Sequence, residues 1–254
     1  MRKSIFISVL LLPSLGGVLA AQRAVEFEGR YWMPVTHSRI RVNDNGVGTD
    51  IDFKKDLGVP DSKFPEGRFT YYGKGRSRLR FTYTPIEYSG DNVVNRTLVF
   101  DGQQYAFGTR VLSNLKIQHL QLGWAYQFIN VHKGLFKLGT LLEGNGFLFS
   151  GRLRAPNLSP AVDKQADLSV GLPTAGLALD INPHRKVNLF AEFSGMKLGK
   201  YGYFINSDAG VKIYPVSKIF VTAGYRNFNL HATVDPNFAR VELRGPFVGG
   251  GARF

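Results

Sequence analysis

The chain of 254 residues carries 29 glycines, 12 prolines and no cysteine, with 32 lysines and arginines against 19 acids for a formal net charge of +13. That composition argues against a disulfide-stapled miniprotein, a collagen or a disordered tail, and the missing thiols exclude cysteine nucleophiles, cysteine-ligated zinc and iron–sulfur clusters. At 44% apolar residues the length suits one large domain, either globular or membrane-bound, and the placement of the apolar residues decides which.

At the N-terminus, Arg2 and Lys3 precede an apolar stretch from Ile5 to Leu12, then Pro13, Gly16-Gly17 and a short Val-Leu-Ala run ending at Ala20. The stretch falls short of the ~20 apolar residues that span a bilayer, and it has the order of segments of a secretory signal. Residues 1–20 are therefore expected to be a cleaved signal peptide and residues 21–254 the exported domain. No later segment approaches a membrane helix, which leaves a soluble fold or a β-barrel.

From Val25 onward the apolar residues come in short alternating runs, the period of a strand with two different faces. Val25, Phe27, Tyr31 and Met33 oppose Glu26, Glu28, Arg30 and Trp32; Leu79, Phe81 and Tyr83 oppose Arg78, Arg80 and Thr82. The clearest run spans Gln118 to Phe128, where Leu120, Leu122, Trp124, Tyr126 and Phe128 alternate with His119, Gln121, Gly123, Ala125 and Gln127. Its aromatics gather at one end, as they do at a membrane interface. Phe136, Leu138 and Leu142 then oppose Lys137, Gly139 and Glu143; Val187, Leu189, Ala191 and Phe193 oppose Asn188, Glu192 and Ser194; Ile205, Ala209, Val211 and Ile213 oppose Asn206, Asp208 and Lys212.

Short turns near residues 73–76, 131–134, 182–186 and 215–218 alternate with longer polar links over 37–65, 90–110, 155–166 and 231–239. Short periplasmic turns with longer extracellular loops are the asymmetry of outer-membrane barrels. The fold expected is therefore all-β: a transmembrane antiparallel up-and-down β-barrel of about ten strands, with eight or twelve as alternatives. Leu98 to Phe107, around Asp101-Gly102, reads as an extra hairpin above the membrane.

The last run, Gly245 to Phe254, ends on an aromatic residue with Val248, Gly250 and Ala252 in phase with it. It resembles the terminal strand by which bacterial outer-membrane β-barrel proteins are recognised by their assembly machinery, with glycine and alanine where larger apolar residues are usual. More narrowly, EGRYWMP from Glu28, GTDIDFKKDLG from Gly48 and GLALDINPH from Gly176 look like a subfamily of small porin-like outer-membrane proteins. That resemblance implies a barrel in the outer membrane of a Gram-negative bacterium, with Phe254 as assembly signal, and brings no established substrate.

The strand phases assign Glu26, Glu28, Arg30, Arg68, Arg78, Arg80, Lys137, Glu143, Glu192, Asp208, Lys212, Arg226, Glu242 and Arg244 to the lumen. In a barrel of this size, little wider than one filled by its own side chains, such charges should pair across the interior, together with Trp32, Tyr72, Phe190, Phe204 and Phe220. Two functions follow: a narrow or gated channel for small solutes, or a non-conducting structural or binding barrel. Bases in or beside the outward loops, among them Arg39, Arg41, Lys54, Lys55, Lys63, Arg96, Arg110, Arg152, Arg154 and Lys200, are candidates to meet lipopolysaccharide phosphates. The sequence holds no nucleic-acid module. No catalytic, cofactor or metal site is expected: the five histidines are scattered, the aspartates at 50, 52 and 56 fail the EF-hand spacing, and His231 with Asp235 is only a pair of rim residues, a weak hint of a lipid- or peptide-modifying enzyme.

Overall fold

Side chains that alternate between large apolar and charged along many short runs can bury both faces only if the sheet closes on itself and one face meets hydrocarbon. The computed structural model describes residues 24–41, 48–73, 75–100, 102–235 and 237–254, so the expected signal peptide lies outside the described residues. Its strands are β1 (Ala24–Trp32), β2 (Val35–Arg41), β3 (Ile51–Asp52), β4 (Phe64–Tyr72), β5 (Ser77–Val93), β6 (Leu98–Phe100), β7 (Gln103–Tyr105), β8 (Arg110–Val131), β9 (Phe136–Ala155), β10 (Val162–His184), β11 (Val187–Lys197), β12 (Gly202–Val216), β13 (Ile219–Val234) and β14 (Asn237–Arg253). Among the described residues no helix is long and apolar enough to cross a membrane.

Consecutive wall strands pair antiparallel, and β1 returns to β14, giving the closed ten-strand barrel expected from the sequence. β1 and β2 are two halves of one wall strand: Trp32 pairs Phe247 and Val35 pairs Arg244 in a single register, interrupted where Pro34 has no amide to donate. The seam closes at the chain end, where Phe254 and Val25 exchange backbone hydrogen bonds of 2.8 and 2.9 Å. Phe27, Phe81, Leu122, Phe193, Val221, Tyr225 and Val248 stand exposed on the outer face and form the apolar belt.

The glycines of β14 and its neighbours have a packing reason. A Cβ at Gly251 would fall on the Phe27 carbonyl and the Phe220 ring, and one at Gly224 on the Ala209 carbonyl and the Phe247 ring. Small residues on the wall thus leave room for aromatic rings to lie across the lumen.

The hairpin read at Leu98 to Phe107 is present as β6–β7, with Leu98 opposite Tyr105, but it does not stand free above the barrel. Leu98, Phe100 and Tyr105 are buried, and the Thr49 amide donates to the Val99 carbonyl at 3.1 Å. Residues 48–63, expected to form part of a polar external link, also turn inward: Ile51, Phe53, Leu57 and Val59 are buried. β3 pairs with β2, and the Phe53 amide donates to the Ser38 carbonyl at 3.1 Å. The other links are shorter than expected because β5, β8, β9, β10, β13 and β14 continue well beyond the roughly 9–11 residues that cross a bilayer.

Candidate functional site

The lumen is built in three levels. Nearest the end that carries Ala24, Phe254 and the short turns lies a cavity of about 970 Å³, lined by Tyr72, Lys137, Asp180, Tyr214 and Arg253 among others and floored by Glu28, Arg30, Arg80, Phe190 and Glu192. At its floor the charges form a belt that ties distant strands together. From β1, Arg30 donates to Glu28 at 2.6 Å and across the lumen to Asp208 on β12 at 2.7 Å. From β4, Arg68 donates to Glu66 and also reaches Asp208. Glu66 accepts from Arg226 on β13 as well, and from the Thr84 hydroxyl at 3.0 Å. From β5, the neighbour of β4, Arg78 and Arg80 converge across the lumen on Glu192 of β11, and Arg78 also donates to Asp180 on β10 at 3.3 Å. Lys212 bridges Glu26 and Glu28.

Such a belt is costly to desolvate, and multiple hydrogen bonds per charge offset that cost. Aromatic faces add to it. Arg30 lies 4.2 Å from the Phe247 ring centroid, Arg226 4.8 Å from that of Trp32 and Lys212 4.5 Å from that of Phe220. A hydrogen-bonded chain runs alongside: His119 pairs with Asn145 at 3.0 Å, Asn145 donates to Thr174 at 3.1 Å, and Thr174 and Ser194 both donate to Glu143, which lies 3.8 Å from Arg80. His119, Glu143 and Ser194 are all buried there.

Over the belt lies an aromatic floor in which His119 stacks on Phe147 at 4.6 Å and Phe204 and Phe228 meet edge to face at 5.1 Å. Trp32, Phe64 and Tyr88 continue it, and the inturned 48–63 segment with β6–β7 completes a continuous apolar core up to the outer mouth. Leu57 and Val59 press against Gly90, where a side chain would collide with the Leu57 carbonyl. Arg96 holds Asp56 through two hydrogen bonds of 2.9 and 2.6 Å, and Asp61 accepts from the Thr36 amide at 2.8 Å. Burial would raise the Asp56 carboxyl, yet the bonds from Arg96 and the Asp52 amide, with the nearby charges, hold it below its ordinary value.

The structure puts Glu28, Arg30, Arg78, Arg80, Glu143, Glu192, Asp208 and Arg226 on the inner face, together with Glu26, Arg68, Lys137 and Lys212. Glu242 and Arg244 are corrections. On β14 the buried positions are Val241 and Leu243, so Glu242 and Arg244 point outward, where they pair with each other and Arg240 donates to Glu242 at 3.4 Å. Glu66, Asp180 and Arg253 belong to the interior and were missed; Glu66 stands two residues before Arg68, in the same phase, and was legible from that alone.

The outward bases are mostly occupied by loop acids. Arg39 pairs with Asp52 at 3.3 Å, Lys54 with Asp61 at 2.8 Å, Arg110 with Asp91 at 2.6 Å, Arg41 with Asp50 and Arg152 with Asp163. Lys55, Lys63, Arg154 and Lys200 make no salt bridge among the described residues, and Lys200 lies 5.4 Å from the Tyr201 ring centroid. His231 stacks on Tyr203 at 5.6 Å and meets Thr233 at 3.3 Å, and among the described residues it forms no ion pair with Asp235. Among the described residues no group of three or more His, Asp or Glu could hold a metal ion.

A closed antiparallel barrel of ten strands with an apolar belt outside and charges within is the fold of bacterial outer-membrane β-barrel proteins. Among solved structures the chain is similar to the outer-membrane protease OmpT of Escherichia coli, with a TM-score of 0.51 at 8% identity over 91% of this chain and 96% of that one. It is also similar to the translocator domain of the autotransporter NalP of Neisseria meningitidis, with a TM-score of 0.41 at 11% identity over 91% and 88%. A third is Ail, the attachment invasion locus protein of Yersinia pestis in complex with the heparin analogue sucrose octasulfate, with a TM-score of 0.40 at 10% identity over 92% and 100%. Identities this low bear on fold alone. No protein-family model matches the chain, and no curated protein matches it.

Proposed function

We propose that the protein is an outer-membrane barrel closed to passive diffusion, serving a structural or binding role rather than that of an open porin. The observation that carries this reading is the double obstruction of the lumen: a belt of cross-lumen ion pairs surmounted by a continuous apolar core that includes the inturned 48–63 segment. Water-filled pores need a polar path from mouth to mouth, and an apolar core of this depth excludes hydrated ions.

At the outer end, Lys55, Lys63, Arg154 and Lys200 are, among the described residues, the candidate bases left to meet lipopolysaccharide phosphates, because Arg39, Arg41, Lys54, Arg96, Arg110 and Arg152 are committed to loop acids. At the other end, the exposed Phe254 side chain and its backbone pairing with Val25 support a role in recognition by the barrel assembly machinery and in closing the seam. The gated-channel reading has one observation in its favour, namely that the inner cavity already reaches the belt, so that only the belt and the core above it would have to move.

Single-channel recording of the pure barrel in planar bilayers tests the reading. Electrically silent membranes are expected at all moderate voltages, with insertion verified independently by protease protection. Steady conductance from the folded wild-type protein would replace the closed barrel with the channel.

A further inference from the structure

The inner cavity has more cation than its own walls can use. Nine lysines and arginines line it against four acidic side chains, and those four are already satisfied: Glu26 and Glu28 by Lys212, Glu28 also by Arg30, Asp180 by Arg78, and Glu192 by Arg78 and Arg80. Lys137, Arg253, Arg76, Arg185 and Lys186 remain, and among the described residues none of them makes a salt bridge. Lys137 and Arg253 sit on the inner faces of β9 and β14, and the guanidinium of Arg253 lies 4.4 Å from the Tyr72 ring centroid. Arg76, Arg185 and Lys186 stand on the turns around the mouth. Arg76 donates to the Phe128 carbonyl at 3.3 Å and Lys186 to the Pro215 carbonyl at 3.4 Å, which anchors both without neutralising them.

We infer that this cavity is a binding site for a small phosphate-bearing solute, entered from the end of the barrel that carries the short turns. A ring of bases at the mouth of a low-dielectric cleft focuses the field and concentrates anions inside it. Lys137 and Arg253, which have no acid partner among the described residues although Arg253 hydrogen-bonds Tyr214, then supply charge-assisted hydrogen bonds to phosphate oxygens. About 970 Å³ is room for a molecule of drug size, and Tyr72, Tyr214 and Phe190 offer ring surfaces to its uncharged part. The site opens through the lumen rather than through the outer wall, which favours a dissolved anion over a phospholipid headgroup carrying the same chemistry. The inference does not depend on whether the lumen conducts.

Inorganic pyrophosphate titrated calorimetrically into the full barrel, reconstituted in zwitterionic nanodiscs at low salt, tests it. Saturable binding is expected, weakening as salt screens the cavity. The double variant K137Q/R185Q should bind about tenfold more weakly or worse, while R39Q/R152Q, altered only at the outer end, should bind like the wild type. Gel mobility before and after boiling shows that each variant is folded. No saturable binding by the wild type, or equal affinity in K137Q/R185Q, overturns the proposal. Repeating the titration in nanodiscs containing phosphatidylglycerol separates the two sources of phosphate: binding that persists supports a dissolved ligand, and binding that disappears overturns it in favour of the lipid.

Discussion

Between Leu120 and Tyr126, β8 turns Leu120, Leu122, Trp124 and Tyr126 outward and Gln121 and Ala125 inward, whereas between Val111 and Gln118 it turns Lys116 and Gln118 outward and buries Val111 and Ile117. β5 does the same, with Phe81 outside and Thr82 inside, then Glu87 outside and Ile86 and Tyr88 inside. The rule inverts along a single strand because its surroundings do. Within the bilayer the outside is hydrocarbon and the lumen holds the polar groups; above it the outside is water and the interior is a covered core like that of a soluble protein. The two halves are therefore held by different forces, a belt of ion pairs below and apolar burial above.

The sharpest way to break the comparison is to damage one half and ask whether the other still closes the barrel. Replacing Phe53 and Leu57 by alanine removes two buried side chains from the inturned segment, each costing about 2–5 kcal/mol, so this pair should lower the unfolding temperature most. The belt beneath should keep the barrel silent in planar bilayers. Replacing Arg78 and Arg80 by alanine instead strands Glu192, at a cost of about 3–5 kcal/mol, and the intact upper core should again keep conductance at zero. Combining all four changes should give conductance with cation preference, since two positive charges have left the lower half. Conductance from R78A/R80A alone would mean that the upper core is not a seal.

Smaller effects sharpen the comparison at its ends. Deleting Phe254 removes the two backbone hydrogen bonds to Val25, at about 0.5–1.5 kcal/mol each, and should lower the yield of inserted barrel measured by gel shift. The tether at the other end is weaker still, because Arg96 is about half exposed and solvent screens the pair, and its loss should cost about 1 kcal/mol. Its pH dependence has a definite sign. The folded Asp56 carboxyl titrates below its unfolded value near 3.8, so the tether is complete at neutral pH and is lost as the pH falls through the lowered value. Limited proteolysis of residues 48–63 should therefore be flat from neutral pH down to about 5 and rise only below about 4, and D56N should raise cleavage at neutral pH.

What the amino-acid order determined by itself is whatever depends on period and on the nearest neighbours in the chain. Alternation with charges confined to one face of β1, β5, β9, β11 and β12 requires a sheet closed around a polar interior, and the spacing of turns requires about ten strands. The same phase gave Arg30, Arg78, Glu192 and Asp208 their inward positions. Glu242 and Arg244 were assigned inward because they are charged, a rule valid only inside the bilayer; their alternation in step with the exposed Val248 already pointed outward. Tertiary structure alone decided the rest. Residues 48–63 read as a polar link because Asp50, Asp52, Lys54, Lys55 and Asp56 outnumber the apolar positions in that run; that Ile51, Phe53, Leu57 and Val59 share one buried side depends on Gly90, Tyr88 and Leu98, brought there by other strands. Which base meets which acid was equally illegible, because Arg68 and Asp208 are 140 residues apart and become neighbours only when the sheet closes.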